Sequence, residues 1–184
     1  MINKIIKNIK WQYAKKKMKY AGANSKIGLD FAISGNKYIT IGNNFRGGKH
    51  VIIDAIDTYN AKPTGYIPVL KIGNNVTFTD NCYISCCNEI IIEDGCLFGS
   101  NSFICDNSHG NLSEVERRIR PSERPLYSKG AIHIGRNVWV GRNVCIMPGV
   151  VLGNNVVVGA NSVVTHDVPD NCVVAGAPTR IIRQ

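Results

Sequence analysis

The sequence predicts an all-β protein folded as a parallel β-helix, and two observations predict it. Six consecutive repeats of six residues run from 134 to 169, and each opens with an aliphatic residue: IGRNVW, VGRNVC, IMPGVV, LGNNVV, VGANSV and VTHDVP. Turn-forming pairs such as Asn-Asn and Pro-Gly stand between the aliphatic positions. A period of six fits neither the 3.6-residue helix nor the alternation of a half-buried strand. It is typical of a coil with three short strands per turn.

The first predicted element is an amphipathic basic helix within residues 1–24. Residues 1–20 carry seven lysines and no acid. Apolar side chains recur there near helical spacing, at Ile2, Ile5, Ile6, Ile9, Trp11 and Tyr13. Two roles fit this pattern: peripheral contact with an anionic membrane surface, or a cap whose apolar face closes the open end of the coil. Nucleic-acid binding is disfavoured, because no recognition motif accompanies the basic residues.

The β-helix itself is predicted over residues 25–178. Further hexads occupy 72–89 and 92–109, and ragged ones begin at positions 27, 33 and 41, which gives roughly five to six turns. Residues 110–131 contain no hexad and are rich in charge, so we expect an excursion loop with a functional or interaction role. Residues 179–184 are predicted to form a C-terminal tail.

Composition agrees with one compact domain. The chain has 184 residues, is 44% hydrophobic and carries a formal net charge of +9, and no apolar stretch is long enough to span a membrane. Its seven cysteines are an odd number without a CxxC pair or zinc-finger spacing. We therefore expect buried reduced thiols, no metal site and a reducing, cytoplasmic compartment, in which the basic segment could reach the inner face of the membrane.

Several motifs carry a resemblance to a known family. The hexads, the excursion after DNSHG, the segments GAIHIGRNVWVG and IMPGVVLGNNVVVGANSVVTHDVPDN, and the terminal VAGAPTRIIR resemble the hexapeptide-repeat acyltransferases. Within that family the chain is most similar to bacterial sugar and polysaccharide O-acetyltransferases. The resemblance implies a left-handed coil, acetyl-CoA as donor without a metal, and a homotrimer whose active sites lie between neighbouring subunits.

The candidate base is His109, which ends a hexad where the coil gives way to the excursion. Without the resemblance, a histidine at this position is also explained as a polar residue at a corner of the β-helix. The DNSHG motif matches the family's catalytic histidine motif, which implies that His109 takes the proton from an acceptor hydroxyl. Asp106 either orients the His109 ring or the acceptor, or makes a local turn bond.

Acceptor and donor contacts follow from the resemblance. Asn81 aligns with an asparagine that contacts the acceptor in similar galactoside enzymes, although an asparagine at a β-helix corner is the alternative. Trp139 matches a tryptophan beside the catalytic histidine, and its alternative is a trimer contact. The positions implied to line the coenzyme A groove are Gly99, Arg142, Ala160, Thr165 and His166. His166 replaces the lysine usual at its position. Arg180 and Arg183 are candidates for the nucleotide phosphates, or only a solvated end.

The function predicted from these residues is transfer of an acetyl group from acetyl-CoA to a hydroxyl of a sugar or a cell-surface polysaccharide precursor. Two alternatives stay open. One is an N-acetyltransferase acting on a nucleotide-linked amino sugar or an antibiotic. The other is a non-enzymatic β-helix scaffold.

Overall fold

The computed structural model describes residues 2–184, with side chains from residue 7 onward. Its short strands lie mainly in three sheets, here called sheets A, B and C, in which every pair is parallel except the last two strands of sheet B. Sheet A contains β1 (Tyr20–Ala21), β4 (Ile39–Ile41), β9 (Val69–Ile72), β12 (Glu89–Ile92), β17 (Ile132–Ile134) and β20 (Val151–Leu152). Sheet B contains β2 (Lys26–Ile27), β5 (Arg46–Gly47), β10 (Thr77–Phe78), β13 (Leu97–Phe98), β18 (Trp139–Val140), β21 (Val157–Val158), β23 (Val173–Gly176) and β24 (Thr179–Arg183). Sheet C contains β3 (Ala32–Ser34), β6 (Ile52–Ala55), β11 (Tyr83–Cys86), β14 (Phe103–Cys105), β19 (Cys145–Ile146) and β22 (Val163–Val164).

Each turn of the coil contributes one strand to each sheet, so the described residues form six complete turns. A partial seventh turn follows, with a bridge between Leu152 and Val168 and then β23. The predicted parallel β-helix is therefore confirmed. Its height is slightly greater than the five to six turns expected from the hexads.

The core of the coil is built from the first and fifth residues of each hexad. The first residues are at most 1% exposed: Ile134, Val140, Ile146, Leu152, Val158 and Val164. Residues one turn apart stack in register, as Ile134 does on Leu152. The phenylalanines of the lower turns continue this column, and the rings of Phe78 and Phe98 stack with centroids 4.4 Å apart. Burial of these side chains is the main stabilising term of the coil.

Left-handed backbone conformations explain the asparagines at the corners. Asn101, Asn143 and Asn161 follow sheet B in successive turns, and all have φ between 56° and 62°. Asparagine tolerates this region better than other residues with a Cβ atom. The Nδ2 atoms of Asn101 and Asn143 each donate to the Oδ1 atom one turn further on, at 2.8 Å. The corner asparagines thus form a hydrogen-bonded ladder along the prism.

The N-terminal helix α1 spans Ile2–Lys17 and packs on the open end of the coil. Trp11 and Ala14 are 5% and 7% exposed and join the core. Lys7 Nζ donates to the carbonyl of Ile27 at 2.7 Å, and Asn36 Nδ2 donates to the carbonyl of Ala14 at 2.9 Å. These contacts are those expected of a cap.

The face of α1 that docks agrees with the predicted one at Trp11 and differs from it at two other positions. Ile9 and Tyr13 are 63% and 60% exposed, so neither side chain joins the core. The buried positions instead follow a stripe that passes through Trp11 and Ala14, because the indole ring fits against the aromatic side chains of the first turns. The predicted apolar residues Ile2, Ile5 and Ile6 lie outside the described side chains.

Both ends of the coil are more ordered than the predicted boundaries suggest. The helix ends at Lys17, and Tyr20 already pairs with Thr40 of the next turn, so the coil begins before residue 25. The tail at 179–184 contains β24, which pairs antiparallel with β23 at the other end. No helix among the described residues is long and apolar enough to cross a membrane.

Two insertions leave the coil. The segment at 110–131 departs after β14 and contains a short helix, α2 (Glu114–Arg117). It is closed at its base by an antiparallel pair of β15 (Ser108–His109) with β16 (Leu126–Tyr127). A second insertion between β6 and β9 was not predicted. It forms a hairpin of β7 (Thr58–Tyr59) with β8 (Lys62–Pro63).

Candidate active site

His109 lies where the chain leaves sheet C for the excursion loop. Its backbone pairs with Leu126 across the antiparallel strands at the base of the loop, while its imidazole is exposed. The side chain packs against Tyr59 of the hairpin, with ring centroids 5.4 Å apart and an angle of 54° between the planes. The structure thus presents the imidazole at an open corner, between the two insertions.

The other histidines all have polar partners. His133 Nε2 lies 2.8 Å from Glu93 Oε1, and His166 Nδ1 lies 2.7 Å from Thr165 Oγ1. His50 Nδ1 is 3.6 Å from Asp30. Within the described part of the chain, the His109 side chain alone among the four makes no hydrogen bond or ion pair. Its ring nitrogens are therefore available to a ligand.

The backbone conformation of the residue after the histidine favours glycine. Gly110 has φ +85°, a region that side chains with a Cβ atom rarely adopt. A Cβ atom there would lie 2.7 Å from Glu116 Oε2 and 2.9 Å from Arg124 Cδ. The Gly110 amide donates to the carbonyl of Pro125 at 2.9 Å. This residue turns the chain sharply into the loop and so fixes the backbone on which the imidazole is carried.

Asp106 does not contact the candidate base. It is fully buried, and its carboxylate accepts hydrogen bonds from the Cys87 amide at 2.8 Å, the Asn88 amide at 2.9 Å and Asn107 Nδ2 at 3.0 Å. Among the described residues, no bond joins it to His109. These contacts favour a local structural role for Asp106 over orientation of the His109 ring, because each carboxylate oxygen already accepts a hydrogen bond from an amide of the preceding turn of the coil.

Asn107 and Ser85 were not identified from the sequence, although Asn107 belongs to the DNSHG motif. Asn107 Nδ2 donates to both the carbonyl and the Oγ atom of Ser85, at 3.1 Å each. These bonds connect the segment that carries His109 to the strand beneath it. Tyr83 stands in the same lower strand, and burial, followed by the charge of Asp54, raises the pKa of its hydroxyl. Asn107 and Ser85 thus form a polar connection below the segment that carries the histidine.

Asn81 lies at the opposite end of sheet C from His109. It precedes β11 and has φ 60°, and its amide donates to the carbonyl of Lys49 at 2.8 Å. This is the geometry of the corner asparagines already described. Within one chain the structure does not bring Asn81 next to the candidate base.

The predicted donor residues fall into three groups. Trp139 is 55% exposed on the outer face of sheet B, and Gly99, Arg142 and Ala160 occupy the corner that follows that sheet. A Cβ atom on Gly99 would lie 2.7 Å from the Arg142 amide nitrogen, so stacking of the coil itself already requires glycine there.

The second group, Thr165 and His166, lies on the same edge of the coil as His109. The register pairs Ile104, Ile146 and Val164, so Thr165 stands two turns beyond the strand that leads to the histidine, a separation of about 10 Å.

The third group consists of Arg180 and Arg183, both exposed in β24 at the end of the coil. One chain alone does not gather the three groups around His109.

Most of the cysteines are core residues rather than nucleophiles. All seven cysteines are free, and all but Cys145 are buried. Burial, together with the charge of Asp106, raises the pKa of the Cys87 thiol to about 12. Burial raises the pKa of Cys96 to about 11. Such thiols stay protonated near neutral pH, so they serve as small apolar core residues. Among the described residues, no cluster of three or more His, Cys, Asp or Glu side chains could hold a metal ion.

Two segments of the chain match family models. Residues 131–166 match the model described as bacterial transferase hexapeptide (six repeats), and residues 89–108 match hexapeptide repeat of succinyl-transferase. WbbJ of Escherichia coli K12, provisionally named a lipopolysaccharide biosynthesis O-acetyl transferase, is 36% identical over 150 residues. That alignment covers 79% of this chain and 71% of WbbJ. The chain belongs to the hexapeptide-repeat acyltransferase family.

Solved hexapeptide-repeat acetyltransferases share the architecture. A galactoside acetyltransferase in complex with coenzyme A is 28% identical with a TM-score of 0.64, and the alignment covers 96% of this chain and 70% of that one. VCA0836 of Vibrio cholerae O1 biovar eltor, complexed with acetyl coenzyme A, is 25% identical with a TM-score of 0.60, covering 97% and 77%. The coil of this hexapeptide-repeat protein is left-handed, as the resemblance implied.

Proposed function

We propose that this protein is an O-acetyltransferase that transfers the acetyl group of acetyl-CoA to a hydroxyl of a sugar or a cell-surface polysaccharide precursor. The observation that carries the proposal is the exposed His109 imidazole, held at the mouth of the excursion loop without a polar partner in the described residues. The family membership and the names of WbbJ and the galactoside enzyme support the acceptor class. The acetyl-CoA and coenzyme A complexes of the structural neighbours support the donor.

The chemistry assigned to His109 is general base catalysis. Its free ring nitrogen accepts the proton of the acceptor hydroxyl while the hydroxyl oxygen bonds to the thioester carbonyl carbon. The protonated imidazole then returns that proton to the departing thiolate as the carbon–sulfur bond breaks. Imidazole suits both steps, because it is the side chain that titrates closest to neutral pH. Six of the seven cysteines are buried, so the proposal assigns direct transfer rather than an acyl-enzyme.

The direct test removes the base. We expect His109→Ala to keep the melting temperature and the affinity for acetyl-CoA while turnover falls by about 10² to 10⁴, the usual contribution of a positioned base. His133→Ala is the matched control, because His133 is bonded to Glu93 on another part of the surface. Near wild-type turnover of His109→Ala would remove this residue from the mechanism.

The test also separates the alternatives. Hydroxyl and amino acceptors of the same sugar should be compared side by side, and exclusive transfer to the amine would favour the N-acetyltransferase hypothesis. A thermal-shift titration with coenzyme A addresses the scaffold hypothesis, since a ligand that binds only the folded protein raises its melting temperature. No shift at saturating coenzyme A would favour a scaffold.

We further propose a homotrimer in which the donor groove lies between two chains. Trp139 on sheet B and His109 at the far edge of sheet C are separated within one chain, so a neighbouring copy is needed to bring them together. Mixing two inactive variants, His109→Ala and Trp139→Ala, should then restore activity at about a quarter of the sites, since each intact site needs one residue from each chain. Absence of complementation, or a fully active monomer in sedimentation, would contradict the shared site.

Location is proposed from the thiols and from the first helix. Seven free cysteines agree with a reducing compartment, the cytoplasm. The outward face of α1 carries exposed Lys16 beside Ile9. We propose that this face makes peripheral contact with anionic lipid while the opposite face caps the coil.

A further inference from the structure

The hairpin between β6 and β9 reaches across to the excursion loop. Tyr59 Oη and Asn60 Nδ2 both donate to the carbonyl of Ser122 in that loop, at 3.1 Å and 2.7 Å. A second connection is made by the Ser128 amide, which donates to Tyr66 Oη at 3.1 Å. Two insertions that leave the coil at different turns are thus joined directly beside the histidine.

The hairpin is built to hold its tip in one place. Asn60 and Ala61, at the turn, have φ +50° and +59°, the conformation of a tight two-residue hairpin turn. Alanine rarely adopts it, and such strain persists where surrounding contacts determine the backbone. At the root of the hairpin, the Asp57 carboxylate accepts a hydrogen bond from Tyr38 Oη at 2.8 Å. Lys37 Nζ lies 3.0 Å from the same carboxylate. Both ends of the hairpin are therefore anchored.

Between these anchors, the Tyr59 ring packs on the His109 imidazole at 5.4 Å. Tyr59 is half-buried, while the imidazole is exposed and has no other aromatic contact or hydrogen bond among the described residues. An exposed side chain samples several rotamers, and a neighbouring ring removes some of them. A general base acts only within hydrogen-bond reach of its proton, and a displacement of about 1 Å can cost about a hundredfold in rate.

We propose that Tyr59 is a positioning residue, which holds the His109 ring toward the acceptor, and that Ser122 and Asn60 hold Tyr59 in turn. This inference rests on the proposed function of His109. It assigns to the unpredicted hairpin the task of pre-organising the base, and it makes the hairpin and the excursion loop one wall of the acceptor site.

The variants Tyr59→Leu, Tyr59→Phe and Asn60→Gly separate the contribution of the ring from that of its hydrogen bonds to Ser122. Tyr59→Leu removes the ring, so we expect kcat to fall about tenfold to a hundredfold while the KM for acetyl-CoA stays within about twofold. Tyr59→Phe keeps the ring and Asn60 keeps one bond to Ser122, so turnover should stay within about threefold of wild type. Asn60→Gly removes the Nδ2 donor in a residue that adopts positive φ freely, so it should behave like Tyr59→Phe, and the double variant Tyr59→Phe with Asn60→Gly should approach Tyr59→Leu.

A second readout is independent of activity. The ring current of Tyr59 shifts the His109 ring protons in the NMR spectrum, and this shift should persist in Tyr59→Phe and disappear in Tyr59→Leu. If the wild-type protein shows no acetyl transfer and the shift is nevertheless lost in Tyr59→Leu, the proposed function is contradicted, while the contact between Tyr59 and His109 is supported. An unchanged His109 spectrum or unchanged kcat in a folded Tyr59→Leu protein would overturn the positioning role. A Tyr59→Phe variant as impaired as Tyr59→Leu would also overturn it, because the hydroxyl rather than the ring would then matter.

Discussion

Replacing Asp106 with alanine is expected to loosen the turn directly beneath the candidate active site. The buried carboxylate accepts hydrogen bonds from the backbone amides of Cys87 and Asn88 and from the side chain of Asn107. Alanine offers none of these acceptors. The two amides would then face an apolar side chain, in a coil that is too tightly stacked to admit water freely.

The magnitude follows from how deeply each donor lies. Leaving a buried donor without a partner costs about 1 to 3 kcal/mol. Cys87 is fully buried and takes the full cost, whereas Asn88 is half-buried and takes part of it. We therefore expect the free energy of unfolding to fall by about 2 to 4 kcal/mol. For a chain of this length that corresponds to a loss of about 5 to 15 °C in melting temperature.

The assay combines thermal unfolding with amide hydrogen exchange. Faster exchange should be confined to the Cys87 and Asn88 amides and their neighbours in the turn, because the coil above and below keeps its own pairing. Asp106→Asn is the matched control. Its single amide oxygen can serve one of the two backbone donors, so its loss of stability should be smaller than that of Asp106→Ala.

Two results would refute this reasoning. The first is an Asp106→Ala protein that melts within about 1 °C of wild type and keeps slow exchange at both amides. The second is unchanged stability together with lost acetyl transfer. That outcome would restore the role in which Asp106 orients the His109 ring or the acceptor.

Three further predictions concern stability and surfaces. Burial raises the thiol pKa values of Cys87 and Cys96 in the folded protein, so the same thiols ionise first in the unfolded chain as the pH rises, and the free energy of unfolding should decline from about pH 9. The double variant Cys87→Ala, Cys96→Ala should lose less of this free energy between about pH 9 and 11 than wild type. An equal loss would contradict the raised pKa values of these two thiols. Trp11→Ala should lower the free energy of unfolding, measured by denaturant titration, by about 3 kcal/mol, whereas Ile9→Ser should change it by less than about 0.5 kcal/mol. A larger loss for Ile9→Ser than for Trp11→Ala would show that the other face of the helix docks. Deleting residues 1–17 should abolish salt-sensitive binding to anionic vesicles and also lower the melting temperature, and vesicle binding that persists would exclude the helix as the lipid contact.

Much of the coil could be predicted because its signal is local. The first residue of each hexad, such as Ile134 or Leu152, is inward by periodicity alone, and the structure buries it as predicted. The absence of hexads after residue 109 likewise predicted the position of the excursion loop. The hairpin at 58–63 escaped prediction because the hexads before it are irregular, so the sequence did not distinguish an insertion from a slipped repeat.

The helix and the histidine show where the sequence alone was insufficient. Helical periodicity predicted α1, yet which stripe docks was decided by the shape of the coil's open end, which accepts Trp11 and leaves Ile9 in solvent. His109 could be named from its motif, but its neighbour Tyr59 lies fifty positions earlier in the sequence. A repeat pattern determines which side chains face inward, because that depends on residues within one turn. Contacts between insertions depend on how whole turns stack, and only the tertiary structure decides them.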